Sequence, residues 1–167
     1  REEIGLDNNA YTNYLASWSI KKALQMFESQ SETRQEELLE EMDLTHDDLA
    51  QWEKVGKNFL IPFHGDGIIS QFSGYEKLLD FPWDHYKKNY DNLQWLDRIL
   101  EAQGDDINKY KVNKQADVLM LFYLFSNDEL KELFHQLGYR FSQAMLRKNV
   151  KYYLQRTSSG SSLSQVV

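Results

Sequence analysis

No cysteine occurs among the 167 residues. Disulfides, thiolate nucleophiles and cysteine-ligated zinc are therefore all excluded. Proline occurs only twice, and each proline marks a break. Pro62 argues for an edge strand or a bulge, and Phe81-Pro82-Trp83 reads as a loop. No apolar run reaches the ~18 residues of a membrane span. Basic residues are outnumbered, 19 Lys and Arg against 26 Asp and Glu, giving a net charge of −7. Such a surface repels phosphate backbones and anionic lipid, which disfavours nucleic acid and membranes as partners. There is no nucleophile-elbow serine and no glycine-rich nucleotide loop. His46, His64, His85 and His135 lack His-x-x-x-His spacing, so no metal centre is expected. Internal repeats are absent as well.

What is present is a ring-rich globular composition, 14% aromatic, at a length that suits one domain or one piece of a larger one. The first residue is Arg1, and Ser164-Gln165-Val166-Val167 reads as the opening of an apolar helix. The chain is therefore expected to be a piece of something longer, with any targeting segment upstream.

Helical spacing runs from Asn8 to Phe27 through Tyr11, Tyr14, Leu15, Trp18, Ala23 and Leu24, with Asp7 or Asn8 as the cap. A charged stretch follows over 30–43. Thr45 and Asp48 form a capping box for a helix through Leu49, Trp52 and Val55, with Gly56 as its stop. The period then changes. Phe59–Phe63 and Ile68–Phe72 read as two short strands joined by the turn His64-Gly65-Asp66-Gly67. Helical patterns resume over 93–102, from Asn113 as a cap through Val118–Phe125, over 130–137 and 139–147, and through Tyr152-Tyr153-Leu154. The run Val118–Phe125 is apolar on every face, which predicts a helix buried all round. A layered helical barrel meets that demand better than a simple bundle. The predicted class is all-α, with one β-hairpin near 59–72.

Three segments could carry chemistry. Lys114 and Gln115 are placed in the first turn of the buried helix, where lysine opposes the helix dipole. Lys114 and Asp117, three apart, would share a face and could grip sugar hydroxyls. On spacing alone Lys114 reads first as a surface lysine that starts a helix. Thr157–Ser162 precedes a helix start, where free N–H groups and hydroxyls make an anion site. From composition alone it reads as a flexible linker. Asp7–Asn13 offers carboxamides that either cap a helix or line a cleft. The aromatics could stack on sugars, but most are expected in the core.

In this order, Asp7-Asn8-Asn9-Ala10-Tyr11-Thr12-Asn13, Lys114-Gln115-Ala116-Asp117-Val118 and Arg156-Thr157 through Gly160-Ser161-Ser162-Leu163-Ser164 resemble the central catalytic domain of glycoside hydrolase family 65. That family contains the maltose, trehalose and kojibiose phosphorylases. Gln71-Phe72-Ser73-Gly74-Tyr75 is similar to a further family segment. The resemblance covers nearly the whole chain, so residues 1–167 are expected to be part of one (α/α)6-barrel domain.

The resemblance implies inverting phosphorolysis of an α-linked glucosyl disaccharide, giving β-glucose 1-phosphate. Inorganic phosphate is the co-substrate and no cofactor is implied. Lys114 and Gln115 would contact the donor glucose. Thr157, Gly160, Ser161 and Ser162 would hold phosphate. The family's general-acid glutamate would lie just before Arg1, outside this sequence, so neither Glu2 nor Glu3 replaces it and the isolated chain should be inactive. Ser159 stands where many members carry histidine. A cytoplasmic setting is expected, and a homodimer is open. Two alternatives remain: a trehalase-like hydrolase of the same fold, and a helical binding piece without catalysis.

Overall fold

The computed structural model describes residues 5–90 and 92–158. Among them eight α-helices and one hairpin follow in order. They are α1 (Ala10–Glu28), α2 (Glu32–Glu41), α3 (His46–Gly56), β1 (Phe63–His64), β2 (Ile68–Ile69), α4 (Trp83–Asn89), α5 (Leu96–Ala102), α6 (Asp117–Leu124), α7 (Asn127–Gln136) and α8 (Gln143–Leu154). The mostly helical class and the hairpin match the sequence expectation.

Most helix starts are closed by a residue beside them. The hydroxyls of Ser31, Thr45, Ser126 and Ser142 accept the N–H groups of Arg34, Asp48, Glu129 and Met145. Each thereby satisfies a donor that has no partner inside its helix. Thr45 and Ser126 make full capping boxes with Asp48 and Glu129. For α1 the cap is Asn9, whose Oδ1 accepts Thr12 N–H at 2.9 Å. Asp7 and Asn8 do not cap it. Asn8 instead turns the chain with φ of 53°, a conformation asparagine tolerates better than most residues.

Gly56 does end α3, but close approach explains it better than a left-handed turn. A Cβ there would stand 3.0 Å from Ile20 Cγ2. Ser17 Oγ also donates to the Gly56 carbonyl at 2.6 Å, so α1 and α3 touch backbone to side chain. Gly138 is the left-handed stop, with φ of 83° after α7. Tyr139 N–H there reaches back to the Phe134 carbonyl at 2.8 Å. That stop separates α7 from α8, and α8 runs unbroken from Gln143 through Tyr153.

The main core gathers rings from distant elements. Tyr14 lies 4.9 Å from Phe125 and 5.4 Å from Phe134, centroid to centroid. Val118, Leu121, Leu130, Leu133, Ile61 and Ile69 complete it. The hairpin pairs Phe63 with Ile69 and His64 with Ile68. It is pinned by buried Asn149 on α8, which accepts Ile69 N–H at 2.8 Å and donates to the Gly67 carbonyl at 2.9 Å. Tyr153 on the same helix donates its hydroxyl to the Ile69 carbonyl. Burial raises the pKa of that phenol. A second, smaller core of Phe81, Tyr86, Leu96, Leu100 and Val112 lies under the long connection from Gly74 to Val112.

The apolar helix differs from expectation in two ways. It begins at Asp117, so Lys114 and Gln115 precede it and do not form its first turn. Asn113 is not its cap either. The cap position falls to Ala116, which has no side-chain acceptor to offer. Val118 and Leu121 are fully buried, but Tyr123 is 72% exposed and Leu124 48% exposed. The helix is therefore covered on one side by this chain, and its other side is a bare apolar face. No helix among the described residues is long and apolar enough to cross a membrane.

Candidate functional site

Four segments singled out in the sequence converge where α1 and α6 begin. Gln71 is the hub, and only 6% of it is exposed. Its carbonyl accepts Ala10 N–H at 2.9 Å, at the first residue of α1. Its side-chain Oε1 accepts Asp117 N–H at 3.0 Å, at the first residue of α6. One residue thus serves the start of two helices, and supplies from 46 positions away the cap that Ala116 lacks. Its Nε2 donates to Asn113 Oδ1, and Asn113 Nδ2 donates to the Tyr75 hydroxyl at 3.2 Å. Asn113 is 8% exposed, so its amide is used structurally.

The remaining strands are tied in by the backbone. Asn113 N–H donates to the Arg156 carbonyl at 2.9 Å, and Ser158 N–H donates to the Asn113 carbonyl at 2.8 Å. This is a parallel bridge of Asn113 with Thr157. Ser73 N–H donates to the Asp7 carbonyl at 2.9 Å, and Asn8 Nδ2 donates to Ser73 Oγ at 3.1 Å. Asn9 Nδ2 reaches Asp117 Oδ2 at 3.3 Å. Segments 7–13, 71–75, 113–118 and 156–158 therefore form one hydrogen-bonded frame.

Lys114 and Gln115 stand on this frame with their side chains toward solvent. Lys114 does not pair with Asp117 as the spacing suggested. Its Nζ lies 2.7 Å from Asp97 Oδ2, on α5. Chiefly through the hydrogen bond from Lys114, this contact lowers the Asp97 pKa. Asp117 is turned to Asn9 instead. Thr157 is held inward, its hydroxyl donating to the Tyr153 carbonyl at 2.8 Å. Ser158 Oγ donates to the Leu93 carbonyl at 2.8 Å. Gly160, Ser161 and Ser162 lie outside the described residues.

Beside this frame, Arg156 stacks 3.9 Å over the Tyr152 ring and meets Asp80 at 3.4 Å. It lines an open cleft of about 500 Å³ with Asp80, Trp83 and His85. His64 sits between the rings of Tyr75 and Tyr152, at 5.6 and 5.2 Å. Its Nδ1 meets Ser70 Oγ at 2.7 Å. Burial, followed by the charge of Lys111, pushes its pKa down. His64 thus does more than serve the hairpin turn.

Glu132 precedes His135 by three on α7, a spacing that can hold a metal. Glu132 is spent on Lys21, at 2.6 Å. Among the described residues no three His, Asp or Glu side chains gather to hold a metal ion. The arrangement offers a rigid polar floor with an exposed ammonium, amide and carboxylates above it. Such a set suits neutral polyols, whose hydroxyls need both donors and acceptors. Sequence reasoning missed Gln71 as a cap and Asp97 as the partner of Lys114. Both are contacts across long stretches of chain, and neither leaves a local signal.

Comparison with known proteins covers nearly the whole chain. Residues 3–167 match the glycosyl hydrolase family 65 central catalytic domain. An uncharacterized glycosyl hydrolase of Mycobacterium tuberculosis is 50% identical over 163 residues, 98% of this chain and 12% of that protein. Trehalose 6-phosphate phosphorylase of Lactococcus lactis is 32% identical over 99% of the chain and 20% of its own length. Kojibiose phosphorylase of Thermoanaerobacter brockii is 34% identical over 95% of the chain and 19% of its own length. The chain thus spans an eighth to a fifth of these relatives. With nearly every residue matched, the chain belongs to glycosyl hydrolase family 65, within the central catalytic domain, and its helices are part of an (α/α)6 barrel.

Proposed function

We propose that this chain carries the donor-sugar side of an inverting disaccharide phosphorylase. The substrates are an α-linked glucosyl disaccharide and inorganic phosphate, and the products are β-glucose 1-phosphate and a free sugar. The observation that carries the reading is the single frame in which Gln71 and Asn113 join the segments at 7–13, 113–118 and 156–158. Phosphorylase relatives at 32% and 34% identity support the same reaction class.

In this scheme Lys114 and Gln115 hold the glucosyl hydroxyls. Gly160, Ser161 and Ser162 hold phosphate, with N–H groups and hydroxyls suited to an anion. Thr157, its hydroxyl turned to the Tyr153 carbonyl, anchors the strand that leads to them. A glutamate from the segment preceding Arg1 protonates the glycosidic oxygen. Phosphate oxygen attacks the anomeric carbon from the opposite face as the bond to the leaving sugar breaks, which inverts the centre. Phosphate is already anionic, so it needs a fixed cradle more than a base. The full-length protein should release glucose 1-phosphate only when phosphate and an α-glucobiose are both present. Release of free glucose without phosphate would overturn this reading.

A second reading is a hydrolase of the same fold, in which a carboxylate activates water. The 50% identical relative is an uncharacterized glycosyl hydrolase, a family label that assigns neither reaction. Ser159, standing where the family resemblance leads one to expect histidine, bears on the phosphate contacts. The phosphate-omission assay separates the two readings directly.

A further inference from the structure

We infer that Asp97 is a positioning residue for the donor-sugar site, acting through Lys114. The inference rests on the proposed role of Lys114 and adds to it a residue from a different part of the chain. Lys114 lies on the bend before α6, outside any helix. A lysine there is a charge on a flexible four-carbon stem, free to sample many rotamers. Its ammonium is nevertheless held 2.7 Å from Asp97 Oδ2.

The carboxylate is itself fixed. Asp97 sits in the first turn of α5 and its Oδ1 accepts Arg98 N–H at 3.0 Å. Leu96, next to it, is 1% exposed in the smaller core. The same short stretch braces the other side of the site, where Ser158 Oγ donates to the Leu93 carbonyl at 2.8 Å. Residues 93–97 therefore touch both the lysine bend and the strand at 157–158.

The Lys114 side chain is 66% exposed and that of Asp97 32% exposed. A pair so exposed contributes little to folding stability. Its consequence is where the ammonium points before sugar arrives, which is the part of binding that pre-organisation improves. Asp97 touches no substrate in this scheme and lends only direction to Lys114.

The test is a kinetic cycle in the full-length protein, run with an α-glucobiose and phosphate. It compares Asp97→Asn, Lys114→Ala, the double variant and Asp97→Glu. Asp97→Asn should raise the KM for the disaccharide about tenfold, a loss of ground-state binding, with kcat and melting temperature little changed. Asp97→Glu should restore part of it. In the Lys114→Ala background, Asp97→Asn should have no further effect. Equal, additive losses in both backgrounds would overturn the inference, as would a fall in melting temperature that accounts for the loss. If Asp97→Asn is silent while Lys114→Ala is damaging, the inference fails and the site assignment stands. If Lys114→Ala is itself silent, the site assignment fails.

Discussion

Among the described residues two kinds of side-chain-capped helix start coexist, while α4 and α5 begin without a side-chain cap. The starts of α2, α3, α7 and α8 are closed by the serine or threonine immediately before them. The start of α6 has no such residue and is closed by Gln71 from a distant loop. A local cap needs only its neighbour three positions on, and serves only its own helix. The distant cap makes the position of α6 depend on the loop, and ties α1 and the 156–158 strand into the same frame. Local starts build the scaffold, and the long-range start is where the candidate binding groups stand.

Substitutions should separate the two kinds. The largest effect should come from Lys114→Ala or Gln115→Ala. Either should lower kcat/KM in the full-length protein about 100-fold, or ~2.7 kcal/mol, with thermal melting unmoved because both side chains are exposed. Gln71→Met comes next. It leaves the Asp117 N–H and Asn113 Oδ1 without their partners. The Asp117 contact is only part-buried, so the two orphaned groups together cost about 2 kcal/mol. Melting and turnover should fall together. Thr45→Ala should cost about 1 kcal/mol at α3 and leave kinetics unchanged. A loss of turnover with Thr45→Ala would erase the contrast.

The smallest effect concerns pH. His64 is half-buried between Tyr75 and Tyr152, and its pKa is pushed down chiefly by burial. Unfolded histidine titrates near ~6.5. The neutral folded ring therefore contributes stability that is fully present above that value. It is lost as pH falls from there toward the lower folded value, because the unfolded chain then binds more protons. Melting followed from pH 7.5 to 5 should show this decline, and His64→Phe should flatten it.

Much of this was legible in the sequence, for physical reasons that differ by element. The box at Thr45 and Asp48 is a contact three residues apart, so it could be read directly. The hairpin was visible in its glycines and β-branched runs, though its paired part is only Phe63–His64 with Ile68–Ile69. The α6 start lies three residues beyond the one the sequence suggests, because Asn113 looks like a cap. Its amide is drawn away to Gln71 and Tyr75, contacts no local pattern encodes. The all-round burial of Val118–Phe125 was expected from its composition, but Tyr123 and Leu124 face outward here. The helix α4 was hidden by Pro82, which reads as a breaker yet stands at its cap position.

The most direct test is amide hydrogen exchange on the full-length protein, with and without saturating β-glucose 1-phosphate. Exchange should slow at residues 9–13 and 114–118, and stay unchanged at 31–34 and 45–48. Unaltered exchange at 114–118 in a preparation that turns over would contradict the claim that the frame at the start of α6 is the donor site.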